Sequence, residues 1–233
     1  MLHCPIARRH SAPSAAHRKP TRLEVPTPYG HVPMHYPAMQ AFSTLPNLRE
    51  LSVDVRFEDM DSHVPCRGGF AALESFCLTR GSLPDIEEAL QMVASSHLRR
   101  LKITILMSVD AQRLTTFLDG IRHAAIGITS LWLHLDCLVY TTTPLGPAEL
   151  PEPVFSLHDL QELICRFKAS SLLVTLSDRD ISPFAIAWPD LRVLKLHEGG
   201  YSRSDAGSSV SALFDLALRC PRLESILFRH LHA

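Results

Sequence analysis

One pattern of apolar residues recurs along most of the chain. An apolar residue is followed by two variable positions and then by two or three apolar residues at alternate positions, as in Leu48-x-x-Leu51-x-Val53-x-Val55. Alternation of this kind is typical of a β-strand with one buried face, so each copy predicts one strand. The seven copies have central apolar residues at Leu51, Phe76, Leu101, Leu131, Leu172, Leu194 and Ile226.

Segments with helical periodicity lie between several of these strands. Ser82 with Asp85, and Ser156 with Asp159, have the spacing of a helix-capping box, and Asp110 is a further predicted cap. The predicted helices have apolar faces at Ile86, Leu90, Val93 and Ala94, at Leu114, Phe117, Leu118 and Ile121, at Leu157, Leu160, Leu163, Ile164 and Phe167, and at Val210, Leu213, Phe214, Ala217 and Leu218.

Strands that alternate with helices indicate parallel strands joined by crossover connections. One unit cannot bury its own apolar face, but stacked units form a continuous core. The predicted fold class is therefore α/β, an irregular solenoid with parallel strands on one face and helices on the other. Its units span 22 to 41 residues; the longest contains a proline-rich loop insertion at 138–155, and the shortest has only a turn at 178–180. The alternative, a doubly wound α/β domain, needs a Gly-rich turn that the sequence lacks.

Residues 1–44 have a different composition from the rest. They contain seven prolines and no apolar periodicity, which predicts a disordered, proline-rich leader before a repeat domain at 45–233. The net charge of the whole chain is -1, and the leader, with five Lys or Arg and one Glu, carries more positive than negative charge. The remainder is therefore acidic, which disfavours nucleic acid as a partner.

Neither a membrane-spanning run nor the apolar core of a secretory signal is found in the sequence. The six cysteines are dispersed rather than paired. These features predict no membrane partner and an intracellular, cytoplasmic or nuclear location.

Motifs for catalysis or metal binding are missing. The sequence contains no HExxH, GxSxG, GxGxxG or CxxC pattern. His134 and Cys137 are predicted to point to opposite faces of a strand, and His230 with His232 offers too few ligands for a metal. The sequence therefore predicts no enzyme, no cofactor and no metal site. An α/β enzyme of unknown reaction is the alternative.

The polar positions between the apolar strand residues predict an open face of the sheet. This face is acidic on the first strand and basic and aromatic on the middle strands. An exposed Trp flanked by Arg and Lys is typical of a protein interface hot spot. The predicted binding residues are Trp132, His134, Arg100, Lys102, Lys195 and His197. In the alternative interpretation, the 138–155 insertion covers Trp132.

The repeat resembles the leucine-rich repeat family over about 45–233. The phrases Leu45-Pro-Asn-Leu-Arg-Glu-Leu, Trp188-Pro-Asp-Leu-Arg-Val-Leu and Cys220-Pro-Arg-Leu-Glu-Ser-Ile are similar to the irregular repeats of fungal F-box proteins. The chain departs from these families in two ways: the Asn ladder of regular leucine-rich repeats is missing, and no F-box is found in 1–44.

The resemblance implies a non-enzymatic recognition module, similar to the substrate-binding part of an F-box ubiquitin-ligase receptor. It also implies partners: a protein of unknown identity that the module recognises, a Skp-type adaptor and a cullin scaffold. A truncated gene product without a dedicated partner is a further alternative, which the missing F-box suggests.

Overall fold

The computed structural model of the chain describes residues 21–24, 33–57, 67–106, 111–135, 152–167, 178–198, 208–228 and 231–232. The strands are β1 (Arg22–Glu24), β2 (Glu50–Asp54), β3 (Ser75–Gly81), β4 (Arg100–Ile105), β5 (Ser130–Leu135), β6 (Glu162–Phe167), β7 (Val193–Glu198), β8 (Ser208–Ser209), β9 (Ser225–Phe228) and β10 (Leu231–His232). The helices are α1 (Tyr36–Ser43), α2 (Leu83–Gln91), α3 (Ala111–Ala124), α4 (Glu152–Phe155), α5 (Asp178–Ala187) and α6 (Val210–Arg219).

Eight strands form one parallel sheet in the order of the chain, β1 to β7 followed by β9, while β8 pairs with β10. The central apolar residues are in register across this sheet: Leu51, Phe76, Leu101, Leu131, Leu163, Leu194 and Ile226. Together with buried helix residues such as Ile86 and Phe117, they form one core between the sheet and the helices. The predicted α/β class with parallel strands is thus confirmed.

A ladder of backbone hydrogen bonds joins successive units just before their strands. The carbonyl of Arg49 accepts the N–H groups of Glu74 and Ser75 at 2.7 and 2.9 Å, and the carbonyl of Glu74 accepts those of Arg99 and Arg100 at 2.9 and 3.1 Å. The carbonyls of Arg99, Thr129, Gln161 and Arg192 continue the ladder. Because these bonds are between main-chain groups, they hold the units in register without an Asn side chain.

A turn precedes the strands and explains the repeated Pro-x-Leu phrases. The N–H of Leu48 donates to the carbonyl of Leu45 at 3.4 Å, and the N–H of Leu223 donates to that of Cys220 at 3.0 Å. Proline at the second position of such a turn, as at Pro221, has the backbone angle that the turn requires. The residues of each phrase therefore form a turn that reverses the chain direction just before the next strand.

Helices α2 and α3 form where they were predicted, but α2 ends at Gln91, so the predicted face residues Val93 and Ala94 lie beyond it and Ala94 is exposed. The N–H of Asp85 donates to Ser82 Oγ at 3.3 Å, and the N–H of Ser82 donates to Asp85 Oδ2 at 3.2 Å, which completes the capping box. The other oxygen of Asp85 accepts the N–H of Phe57 at 3.0 Å and so ties α2 to the residues after β2. The predicted apolar face of α3, which includes Leu114 and Phe117, is buried. The predicted cap at Asp110 lies outside the described residues.

The fifth unit differs from the prediction. The predicted helix over 157–167 is wrong, because its second half is strand β6, in which Leu163 and Cys165 are buried and Ile164 is partly exposed. Leucines three apart suit both a helix and the turn before a strand, and here the N–H of Leu160 donates to the carbonyl of Leu157 at 3.1 Å in such a turn. The capping box predicted at Ser156 is therefore wrong too. The strand predicted at Leu172 lies outside the described residues.

The position of β6 makes the repeat more regular than predicted, with units of 25 to 32 residues between Leu51 and Ile226. The short turn predicted at 178–180 is wrong, because helix α5 begins there. Phe184 of α5 stacks on Trp188, with ring centroids 5.4 Å apart and planes at 12°, and Phe155 packs against both rings. This cluster buries α5 against the core. The insertion predicted at 138–155 lies mostly outside the described residues, and its last four residues form α4.

Two pieces of the predicted leader belong to the fold. Strand β1 pairs with β2, and α1 buries Tyr36 and Met39. The ring of Tyr36 meets that of Phe57 edge-on, with centroids 5.4 Å apart. Proline is compatible with the first turn of a helix, where Pro37 lies. The prediction of a disordered leader is therefore wrong for these two segments, while residues 1–20 and 25–32 lie outside the described part of the chain.

Helix α6 forms where it was predicted, but its predicted apolar face is not the buried one. Phe214 is 68% exposed and Leu218 is 80% exposed, whereas Leu216 is fully buried. Helix α6 packs against α5 and is the last helix of the described stack. An apolar stripe on a helix is buried only where a neighbouring element covers it, and the periodicity of α6 does not identify that neighbour.

Candidate functional site on the open face of the sheet

The alternate strand residues that point away from the core form the open face of the sheet. Their rows cross the strands in register. The central row contains Ser52, Cys77, Lys102, Trp132, Ile164, Lys195 and Leu227, and the next row contains Thr104, His134, Arg166 and His197. Because neighbouring strands lie about 4.8 Å apart, adjacent side chains of a row are within contact distance.

Trp132 lies in the middle of the central row and is 38% exposed. The Nζ atom of Lys102 lies 5.2 Å from the centroid of the Trp132 ring, which is within the range of a cation–π interaction. On the other side of Trp132 the row continues with the partly buried Ile164 and then Lys195. The row thus combines the accessible apolar surface of the Trp132 ring with a lysine on each side of it.

Ile164 and Arg166 belong to this site but were missed from the sequence, because β6 was predicted as a helix. A signal was present, since Leu157-His-Asp-Leu-Gln-Glu-Leu repeats the frame of Leu45-Pro-Asn-Leu-Arg-Glu-Leu. The residues predicted for this strand's open face, Ser171, Leu173 and Thr175, lie outside the described residues. We define the Trp132 patch as Lys102, Trp132, His134, Ile164, Arg166, Lys195 and His197.

Five of the six predicted binding residues lie in the Trp132 patch, and Arg100 does not. Arg100 lies in the row nearer the start of the strands, and its Nη2 is 3.2 Å from Glu50 Oε1. Arg22 Nε is 3.4 Å from the other oxygen of Glu50. Both cations at this end of the face are therefore paired with a carboxylate.

The cations of the Trp132 patch have a different environment. Within the described part of the chain, Lys102, Arg166 and Lys195 form no ion pair, and the Lys102 ammonium lies over the Trp132 ring. The nearest carboxylate in the strand register is that of Glu162, which accepts a hydrogen bond from Ser130 Oγ at 2.6 Å. The open face is thus positive over β4 to β7 and of mixed charge over β1 and β2.

Searches of protein-family models, curated proteins and solved structures found no match to this chain. The resemblance to leucine-rich repeats and to F-box proteins therefore stays a prediction that rests on the repeat phrases. Among the residues that the structure describes, none of the helices has the length and hydrophobicity that a membrane-spanning segment requires. The same ranges contain no group of three or more His, Cys, Asp or Glu that could hold a metal ion.

A surface cleft of about 380 Å³ lies beside the turns that precede β5 and β6, and its lining includes His123, His158 and Asp159. The turns place it at the amino ends of these strands. Ligands of open α/β sheets bind outside the carboxyl ends of the strands. The cleft therefore lies at the opposite end of the sheet from the active sites of doubly wound α/β enzymes.

The cysteines allow a test of strand burial. Burial raises the pKa of Cys165 to about 12 and raises the pKa of Cys220, whereas Cys77 is partly exposed on the open face. Because the thiolate is the reactive form, we expect a maleimide at neutral pH to label Cys77 in the native protein and Cys165 only after unfolding. Peptide mass spectrometry would measure this, and equal native labelling of Cys77 and Cys165 would contradict it.

Proposed function

We propose that the chain is a non-enzymatic recognition module that binds a partner protein through the Trp132 patch. The observation that carries the proposal is the accessible Trp132 ring on an open sheet face, with Lys102 against it. Trp and Arg are enriched in interface hot spots. Most parallel sheets are covered by helices on both faces, whereas stacked-repeat proteins use the uncovered surface to bind partners.

A more specific form of this proposal is the substrate-binding part of an F-box ubiquitin-ligase receptor. It is supported by the Pro-x-Leu phrases, such as the one at Pro221, which the fold uses as turns before strands. The role requires a Skp-type adaptor and a cullin scaffold as further partners. Their co-purification with the full chain from its own cells is the expected result. Recovery of a stoichiometric partner without either of them would favour a free-standing recognition module.

The Trp132→Ala variant tests the recognition surface. We expect it to reduce capture of the specific partner by about tenfold or more, because an interface Trp at a hot spot contributes that much to affinity. Quantitative mass spectrometry of proteins captured by the full chain measures the loss, and circular dichroism confirms that the variant is folded.

Phe214→Ala is the matched control, since Phe214 is an exposed aromatic residue on α6, away from the open face. It should leave capture unchanged. If Phe214→Ala releases the partner and Trp132→Ala does not, the interface lies on α6 and the proposal is wrong.

A further inference from the structure

The distribution of paired and unpaired cations on the open face indicates what the Trp132 patch binds. Arg22 and Arg100, near β2, are both paired with Glu50. In contrast, Lys102, Arg166 and Lys195 have no carboxylate partner among the described residues. Unpaired charges gathered around an accessible Trp are available to a partner of opposite charge.

The spacing of these cations limits the shape of that partner. Lys102 of β4 and Lys195 of β7 lie in the same row, with Trp132 and Ile164 between them. Three strand spacings separate the two lysines, or about 14 Å. An extended peptide advances about 3.3 Å per residue, so carboxylates four residues apart span about 13 Å. A side chain midway between them would lie over Trp132 and Ile164.

We infer that the Trp132 patch binds an acidic protein segment in which two carboxylates, four residues apart, flank an apolar side chain. This inference rests on the proposed function of the patch. The two carboxylates pair with Lys102 and Lys195, and the apolar side chain between them packs on Trp132 and Ile164. Arg166 in the adjacent row can pair with a further acidic group. The pairing supplies specificity, and the ring supplies most of the affinity.

Single-stranded nucleic acid is the other class of anion that binds Trp and cations. Such sites combine a cationic groove with aromatic residues that stack successive bases. The Trp132 patch has one Trp and three cations, and the chain has a net charge of -1. An acidic segment with a single apolar anchor fits this composition better.

The test is selection of random displayed peptides on the immobilised full chain, followed by affinity measurement of the enriched peptides at low and high salt. We expect enrichment of acidic residues four apart around an apolar residue. Lys102→Glu with Lys195→Glu should lower the affinity of these peptides by about tenfold or more. Arg67→Glu with Arg219→Glu, which reverses two exposed cations outside the open face that form no ion pair among the described residues, is the matched control and should leave it unchanged.

The outcomes separate this inference from the proposed function. Peptides that require Trp132 but show no acidic enrichment, and still bind the double lysine variant, would overturn the inference and leave the recognition proposal in place. Binding of a single-stranded RNA oligonucleotide that Trp132→Ala abolishes, without any peptide binding at the patch, would overturn both. Peptides whose binding is unaffected by Trp132→Ala and by the lysine variant would place recognition elsewhere on the chain and also overturn the inference.

Discussion

Replacing Leu163 by Ala is expected to lower the free energy of unfolding by about 2–5 kcal/mol, whereas replacing the adjacent Ile164 by Ala costs much less. Leu163 is 4% exposed and lies between Leu131 and Leu194 in the buried row of the sheet. Its truncation leaves a cavity that the neighbouring strands cannot fill. Ile164 is on the open face, where loss of its side chain leaves no cavity in the core.

Urea denaturation of the two variants measures the difference. The pair also discriminates between strand and helix, because a helix over 157–167 would place Leu163 and Ile164 on the same buried side. Equal and large losses of stability for both variants would therefore contradict the strand assignment of β6.

Replacing Met39 by Ala is the second change with a large expected effect. Met39 is fully buried in α1, and we expect a loss of about 2–5 kcal/mol in unfolding free energy. The neighbouring Gln40 is exposed on the same helix, so Gln40→Ala is the matched control and should be close to neutral. For a chain of this size, the loss corresponds to a decrease in Tm of about 4–20 °C.

Thermal unfolding followed by circular dichroism measures this decrease. If Met39→Ala unfolds at the temperature of the original protein, residues 36–43 are not part of the cooperative fold, and the repeat domain starts after them. A decrease confined to Met39→Ala would establish that the domain includes α1, inside the segment that composition assigned to a leader.

The local pattern by itself determined most of the sheet. The strands at Leu51, Phe76, Leu101, Leu131 and Leu194 were predictable because alternation along a strand decides which side chains share a face. The capping box of α2 was predictable because its partners are three residues apart. The alternation of side chains along a strand also predicted, from the sequence alone, that Trp132, Lys102 and Lys195 lie on the open face.

Where a sequence pattern fits both a helix and a strand, only the tertiary structure determines which of the two forms. Leu157, Leu160 and Leu163 suit one face of a helix, and they equally suit a turn followed by a strand. The segment forms a turn and a strand because β6 pairs between β5 and β7. A parallel strand at this place continues the hydrogen-bond ladder and the buried row. The positions of Ile164 and Arg166 on the open face depend on that pairing.

Burial was decided by neighbours that the sequence pattern does not specify. The prolines around α1 suggested a leader, yet Met39 is buried as a member of the same core as the strand residues. The apolar stripe of α6 that contains Phe214 and Leu218 was predicted to be buried, yet both side chains are exposed on this last described helix. Periodicity determines which residues lie together on one face of an element. Whether another element covers that face, or a carboxylate pairs with its cations, depends on contacts between residues far apart in the chain.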